Sequence, residues 1–421
     1  VSESWDVRPL GEVCTIKPPK AEARSKLRDG DPVSFVPMED LGVAAKSLIP
    51  YRTRALGEVS GSYTYFADGD VLLAKITPCF ENGKLGVARG LVNGIGFGSS
   101  EFIVLRPGPE LEAEFLYYYL ARPSFLEEGA RSMTGAVGHK RVAKEFIEAY
   151  PIPLPSRSDQ RRIVAILDDA FEGIATSKAH AERNLQNARE LFDCQLQAQL
   201  CSSGNQGNLR TVRDLVDQGV LDKPQDGNHG EIHPTKADYV DDGVPFLMAA
   251  DLTEGRASTR DCRFISRQQA MSLRIGFAKP GDVLLSHKGT IGRVAMLETD
   301  DDFVVLTPQV TYYRTLDQNR LFNHFLYYAL RGPSFQAELN RIAGAGSTRA
   351  YIGITRQLDL RIAVPPVDVQ RRIAAKLQRT EEATKALEGI FLGKLAALEE
   401  LKQSLLHQAF SGQLWTTRWQ E

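Results

Sequence analysis

Phe115-Leu-Tyr-Tyr-Tyr-Leu-Ala-Arg-Pro-Ser-Phe125 returns as Phe325-Leu-Tyr-Tyr-Ala-Leu-Arg-Gly-Pro-Ser-Phe335, 210 residues later. The same interval separates Gln160-Arg-Arg-Ile163 from Gln370-Arg-Arg-Ile373. Gly69-Asp-Val-Leu-Leu73 returns as Gly281-Asp-Val-Leu-Leu285 after 212 residues, and Phe35 to Leu41 resembles Phe246 to Leu252 after 211. The landmarks keep one order and nearly one spacing, so the chain is a duplication. The period is too long for a solenoid, whose repeats run to some tens of residues.

Around these landmarks each half reads as mixed α/β. Gly69-Asp70 has the composition of a turn and precedes a strand-like Val71 to Ile76. Gly98 to Pro107 encloses a second apolar strand, Phe102 to Leu105. Leu111 to Leu120 has helical spacing and stops before Pro123. The second half repeats the series with Val283 to Ser286, Phe303 to Arg314 and a helix near Leu321 to Leu330. Regular βαβ alternation is missing, which argues against a doubly wound sheet.

A proline-rich hinge and a long helix follow each half. Pro151-Ile-Pro-Leu-Pro155 precedes the first helix and Pro365-Pro366 the second, with Asp159 and Asp368 near the expected N-caps. Ile163, Leu167, Ala170, Ile174, Ala181, Ala188 and Leu191 hold an apolar stripe in the first. Ile373, Leu377, Thr380, Thr384, Leu387, Phe391, Leu398, Leu401 and Leu405 hold one in the second, and Lys394 breaks it. Steps of four and three predict coiled-coil pairing. Each stretch of about 40 residues would run roughly 60 Å.

Of the 421 residues, 43% are hydrophobic and 25% charged, which is ordinary composition for chains with real cores. The apolar runs are too short to span a membrane. Val1 to Arg8 carry no signal-peptide pattern, and a few residues are expected to be missing before Val1. The five cysteines, Cys14, Cys79, Cys194, Cys201 and Cys262, are scattered without zinc-site spacing. Their dispersion suits a reducing cytoplasm. The net charge of −2 confines any nucleic-acid surface to local patches.

These features together resemble HsdS, the DNA-specificity subunit of type I restriction–modification systems, along nearly the whole chain. The resemblance is carried by Trp5-Asp-Val-Arg-Pro-Leu-Gly-Glu-Val13 and the Phe-Leu-Tyr-Tyr motifs. It continues in the junctions Pro153-Leu-Pro-Ser-Arg-Ser-Asp-Gln-Arg-Arg-Ile163 and Val364-Pro-Pro-Val-Asp-Val-Gln-Arg-Arg-Ile373, and in Leu405-Leu-His-Gln-Ala-Phe-Ser-Gly-Gln-Leu414. The family usually has Glu before the junction Gln, where this chain has Asp159 and Val369. Its final Ser-Gly is clear at Ser411-Gly412 and degraded at Ser202-Ser203-Gly204.

The resemblance implies an α+β chain of two mixed α/β target-recognition domains, held apart by two antiparallel coiled-coil helices with pseudo-twofold symmetry. The expected boundaries are 1–155 and 205–366 for the domains, with 156–204 and 367–421 for the helices. Each domain would read one half of a split double-stranded DNA site. The helices would dock two methyltransferase subunits that carry S-adenosylmethionine, and restriction/translocase subunits would join them in some assemblies. Ile163, Leu167, Ile174, Leu191, Ile373, Leu377, Leu387, Phe391, Leu398 and Leu405 are the expected coiled-coil or partner contacts. Duplication within one chain suits an asymmetric, two-part sequence, unlike a homodimer on a palindrome. The helices would then act as a ruler, one added turn being about 5.4 Å.

Candidate DNA contacts are the polar loops beside the landmarks. In the first half these are Lys75, Thr77, Asn82 and Lys84, then Thr134, His139, Lys140 and Arg141. In the second they are Ser286, His287, Lys288, Thr290 and Arg293, then Ser347, Thr348, Arg349 and Tyr351. Arg and Lys read guanine edges, Asn reads adenine, and all of them can hold phosphate. Solvated loop charge is the competing reading of any one of them.

The residues point away from catalysis. The chain has no P-loop and no Asn-Pro-Pro-aromatic motif of amino-methyltransferases. Gly94-Ile-Gly-Phe-Gly98 does not join a strand to a helix. His139, His287 and His407 lack partners at nucleophile-like spacing. Asp168-Asp169 and Asp300-Asp301-Asp302 read as solvated charge rather than a metal site. Tyr117 to Tyr119 and Tyr327-Tyr328 read as core rather than base-stacking platforms. The chain is therefore expected to be non-catalytic and to hold no cofactor or metal of its own. The alternative is an interaction scaffold with the same frame that does not read DNA.

Overall fold

The computed structural model describes residues 5–43, 45–136, 138–202, 208–229, 233–344 and 351–413. The chain forms two compact units, Val1–Glu182 with Leu392–Glu421, and Arg183–Phe391. Two long helices, Arg157–Ser202 and Val367–Phe410, each contribute one part to each unit.

In the first unit a five-stranded sheet runs in the order Cys14–Ile16, Phe102–Pro107, Val71–Ala74, Leu85–Ala88, Ser47–Leu48. A four-stranded sheet orders Arg52–Ala55, Pro32–Val36, Ile95–Gly98, Thr64–Ala67. The glycine-rich stretch Gly94 to Gly98 is thus mostly a strand. A Cβ at Gly96 would lie 2.2 Å from the Phe66 ring, and one at Gly98 2.4 Å from the Val36 carbonyl, so only glycine permits that packing. Asp6–Pro9 pairs with Pro151–Leu154, bringing the start of the domain beside its end.

The second unit has two five-stranded sheets. One orders Tyr239–Val240, Arg263–Ile265, Val244–Leu247, Val304–Leu306, Phe277–Ala278, and the other Leu252–Thr253, Arg256–Ala257, Val294–Met296, Val283–Ser286, Val310–Tyr313. The apolar run Phe303 to Arg314 is therefore two strands in two sheets, not one. Pro308 has no N–H for a ladder, and the Val310 N–H bonds the Thr307 carbonyl at 3.1 Å to turn the chain.

The recurring landmarks have structural causes. Gly69 and Gly281 sit at φ 87° and 86°, where a side chain is disfavoured. The next residue, Asp70, is buried, accepts the Ala67 N–H at 2.8 Å and takes both arms of Arg106 at 2.7 and 2.8 Å. Asp282 does the same with the Lys279 N–H at 2.7 Å and Arg314 at 2.9 and 2.7 Å.

Phe115 to Leu120 and Phe325 to Tyr328 are buried core residues. The Tyr118 hydroxyl donates to Asp168, and that of Tyr328 to Glu381 at 2.9 Å, so the motif ties each domain to a long helix of its own unit. The junction glutamines close the other end. Gln160 is fully buried, accepts the Glu112 N–H at 2.8 Å and donates to the carbonyls of Glu110 and Pro155 at 2.8 and 2.9 Å. The first helix is capped by Ser156, whose Oγ accepts the Asp159 N–H at 3.2 Å.

The apolar stripe needs a correction. Ile163, Leu167, Ile373 and Leu377 are buried in the cores of their own units, and Ile174, Phe391, Leu398 and Leu405 are half-buried. Leu191 and Leu387, however, are 53% and 40% exposed. The less exposed face steps by four residues, from buried Ala188 to buried Phe192 and from buried Thr384 to half-buried Glu388, where a strict heptad steps by three. An α-helix at 3.6 residues per turn drifts off a 3.5 repeat, and these steps absorb the drift. Within the first unit, Ile163 and Leu167 share a core with Leu406 and Phe410, while Phe171 meets Lys402 further along, so the two helix segments run antiparallel there.

Candidate nucleic-acid interface

In the first unit the strand Val71–Ala74 delivers Lys75 and Thr77 to a turn. The loop from Thr134 to Arg141 folds on itself through paired Thr134–Arg141 backbone bonds of 3.1 and 2.9 Å. It then lies along that turn: the Thr77 N–H bonds the Lys140 carbonyl and the Val142 N–H the Lys75 carbonyl, both at 3.0 Å. Two polar groups some 60 residues apart in sequence thus form one surface. Gly135 makes the fold of the loop possible, with φ 125° and a Cβ position only 2.9 Å from the His139 carbonyl.

The side chains divide into two classes. Arg141 holds Glu101 with bonds of 2.9 and 2.8 Å, and Lys75 reaches the Ser100 carbonyl at 3.0 Å. The Arg141 hydrogen bonds chiefly hold the Glu101 carboxyl below its ordinary range, against a smaller opposing effect of burial. Thr77 donates to Glu81 at 2.8 Å and Lys84 to the Met38 carbonyl at 2.8 Å, so both shape the loop. Asn82, Thr134, His139 and Lys140 are exposed.

A cleft of about 350 Å³ beside this surface adds cations that the sequence reading missed. Lys17, Lys20 and Lys144 line it together with Lys75, Arg141 and Tyr63. Lys17 is held at φ 59° while its N–H bonds the Val104 carbonyl at 2.8 Å, an unusual backbone for lysine that leaves the residue exposed. Burial, then Lys17 and Arg24, push the Lys20 ammonium below its ordinary pKa. Lysines crowded this way are relieved by an anion. The available signal was Lys17-Pro-Pro-Lys20, two cations flanking a turn-forming pair directly after a strand.

The second unit builds the same arrangement from different residues. The Ile352 N–H bonds the His287 carbonyl at 3.0 Å, and Lys288 bridges Tyr351. Lys288, Thr290, Arg293 and Tyr351 are exposed, and Arg293 also reaches the Ala249 carbonyl at 3.1 Å. Ser286 and His287 are fully buried, which corrects the expectation that they touch DNA directly. Ser286 Oγ accepts the Arg293 N–H at 2.9 Å, and His287 Nδ1 donates to the Ile352 carbonyl at 2.9 Å, so both shape the loop. Burial pushes the His287 imidazole below its ordinary pKa, and its Nε2 faces Asp226 at 3.7 Å. Asp226 also pairs with His229 Nε2 at 2.9 Å; neither was singled out in the sequence. Ser347, Thr348 and Arg349 lie outside the described residues.

The two surfaces differ at matched places. Arg141 in the first corresponds to Tyr351 in the second, and Glu101 to Gln309. Gln309 is exposed, and its carbonyl accepts the His287 N–H at 2.9 Å, as that of Glu101 accepts the Lys75 N–H at 2.9 Å. Among the described residues, no group of three His, Cys, Asp or Glu side chains is placed to hold a metal ion. None of the described helices is long and apolar enough to cross a membrane.

Comparison with known proteins bears on both units. The family described as "Type I restriction modification DNA specificity domain" matches residues 2–185 and 229–392. The specificity subunit of the Escherichia coli type I restriction enzyme EcoEI is 42% identical over 209 residues, 45% of this chain and 34% of that protein. The EcoAI specificity subunit of Escherichia coli is 36% identical over 163 residues, 38% of this chain and 27% of that protein. The match thus spans about a third or less of the length of these two relatives. Among solved structures, the HsdS subunit from Thermoanaerobacter tengcongensis aligns at TM-score 0.62 and 21% identity over 97% of both chains. A chain from a structure of the type I R-M system, described for its complex assembly and conformational transition, aligns at TM-score 0.76 and 21% identity. It covers 97% of this chain and 98% of that one. At that identity the likeness shows a shared fold.

Proposed function

The chain belongs to the type I restriction modification DNA specificity domain family, and from that premise we propose that it is a DNA-reading and assembly subunit. It recognises a two-part, asymmetric double-stranded sequence and directs methyltransferase subunits to it. Those partners carry S-adenosylmethionine and do the chemistry, and a restriction subunit joins them where the system has one. The site of action is the cytoplasm.

One observation carries this reading. Both units bring the same two loops together by backbone bonds, yet present different side chains on them. The first offers Lys140 beside Lys75, Arg141 and the Lys17–Lys20 cleft. The second offers Lys288, Thr290 and Tyr351. Backbone bonds set the common frame, and cations hold phosphate whatever the sequence. The unmatched residues are the ones available to read bases. A second observation supports partner docking: Leu191, Leu387 and Ile390, at 53%, 40% and 63% exposure, are apolar residues left uncovered on the long-helix segments of the second unit.

The test is to co-express the chain with its methyltransferase and sequence the methylated sites. A bipartite methylated motif is expected. Equally specific methylation by the methyltransferase alone would reject the proposal.

A further inference from the structure

Arg141 and the lysines beside it line one cleft, but their charges are not equally available. The Arg141 Nε and Nη2 groups donate to the two carboxylate oxygens of Glu101 at 2.9 and 2.8 Å. Its Nη1 donates to the His139 carbonyl at 3.1 Å. Glu101 is half-buried and Arg141 exposed. Backbone bonds fix both partners. Arg141 exchanges its N–H and carbonyl with those of Thr134, and the Glu101 carbonyl accepts the Lys75 N–H at 2.9 Å. A carboxylate at the start of the strand Phe102–Pro107 therefore holds the guanidinium in one plane.

A guanidinium carries five N–H groups. Three are occupied in these bonds, so among the described residues one is left on each terminal nitrogen. The Arg141–Glu101 pair has no net charge. Lys20, by contrast, donates only to the carbonyls of Ser60 and Gly61, and among the described residues neither it nor Lys17 has a carboxylate partner. Attraction to phosphate follows uncompensated charge, whereas reading a base edge follows the direction of the donors. The lysines suit phosphate, and the neutralised, oriented arginine suits a base. Tyr351 and Gln309, at the matched places of the second unit, carry no charge and form no such pair.

Resting on the DNA-reading function, we propose that Arg141 reads a guanine in one half of the site through its O6 and N7, and that Glu101 is the positioning residue that sets the plane of the guanidinium. Guanine O6 and N7 accept two N–H groups of one arginine, the commonest specific contact in the major groove. A lysine gives the same charge without the fork. The requirement for this guanine belongs to the half-site of the first unit only.

The test uses the complex of the full chain with its methyltransferase, and reads both the methylated motif and DNA affinity against salt. Arg141→Lys should lose the preference for guanine at one base pair of one half, by roughly tenfold, and leave the other half unchanged. Glu101→Gln should loosen the same base pair. It should also bind DNA of unrelated sequence more tightly, with a salt slope steeper by about 0.9, because the guanidinium charge is released. A merely structural pair would weaken both kinds of binding together. With native protein, 7-deazaguanine replaces each guanine of the motif in turn, removing N7. One such duplex should bind roughly fivefold more weakly than the others. A two-part native motif that Arg141→Lys leaves unchanged overturns this assignment alone, as does equal binding of every substituted duplex. A salt slope shallower by about 0.9 in Arg141→Ala, with the motif intact, makes the residue a phosphate contact and also overturns it. A native complex with no two-part motif overturns the DNA-reading function itself, and this assignment with it.

Discussion

The buried carboxamide of Gln160 accepts the backbone N–H of Glu112 at 2.8 Å, and 210 residues later Gln370 accepts that of Phe322 at 2.8 Å. Each glutamine also donates to two carbonyls, in the second case those of Arg320 and Pro365 at 2.9 and 2.7 Å. Two of the three bonds pin the first turn of a long helix to the loop that precedes the Phe-Leu-Tyr-Tyr helix, and the third returns to the proline just before the long helix. Alanine removes all three and leaves a buried N–H unpaired, at about 1–3 kcal/mol. Gln160→Ala should therefore lower the urea midpoint of the transition that reports the first unit. An unchanged midpoint would show that water replaces the amide at no loss.

Glu381 sets a pH dependence in the second unit. Burial raises its pKa, but Arg331 and Lys385 outweigh it and the net shift is downward from 4.5. A carboxylate depressed in the folded state contributes stability above its unfolded pKa and loses it as pH falls through the folded value. Stability of the native chain should thus decline below about pH 4.5. Part of that decline should vanish in Glu381→Gln, measured by urea unfolding between pH 3 and 6. Parallel curves for the two proteins would remove Glu381 from the account.

Lys17 and Lys20 are expected to hold phosphate rather than bases. Replacing either with alanine should weaken DNA binding about equally for all sequences. The slope of log affinity against log salt should become shallower by about 0.9 for each phosphate that is no longer neutralised. A changed methylation motif with an unchanged salt slope would instead make them base readers.

Modular reading predicts that exchanging residues 209–360 for those of a relative alters one half of the methylated motif. The backbone bonds that join the two loops in the second unit, His287 with Ile352, lie within that segment. Alteration of both halves, read by sequencing methylated DNA, would count against separate readers.

Ile390→Glu places a charge on an exposed apolar position, so the stability of the chain should change by no more than about 0.5 kcal/mol. Co-purification of the methyltransferase should fall sharply if this face docks it. Undiminished recovery of the complex would move the docking surface elsewhere.

Much of the frame is legible because its causes are local. A glycine with positive φ followed by a turn-capping aspartate, a tyrosine pair on a helix, and a glutamine one turn into a helix each need particular residues at short spacing. Their recurrence marks the duplication and both long helices. The stripe on those helices was legible only in part, because a heptad count carries no information about where the drift is absorbed. It selects Leu191 and Leu387, whereas the less exposed positions are Phe192, which is buried, and Glu388, which is half-buried.

The sequence by itself determined that one frame is built twice and that its polar loops are unmatched between the halves. Only the tertiary structure decided which of those polar residues face solvent. Ser286 and His287 have the composition of a contact loop but are buried, Ser286 in a strand paired with Val310–Tyr313 and His287 against the Tyr351–Ile352 segment, more than 60 residues away. Lys17 and Lys20 look like an ordinary turn until the strand Cys14–Ile16 pairs with Phe102–Pro107 and carries them to Lys75 and Arg141. Long-range pairing sets such contacts, and it leaves no period in the chain from which to read them.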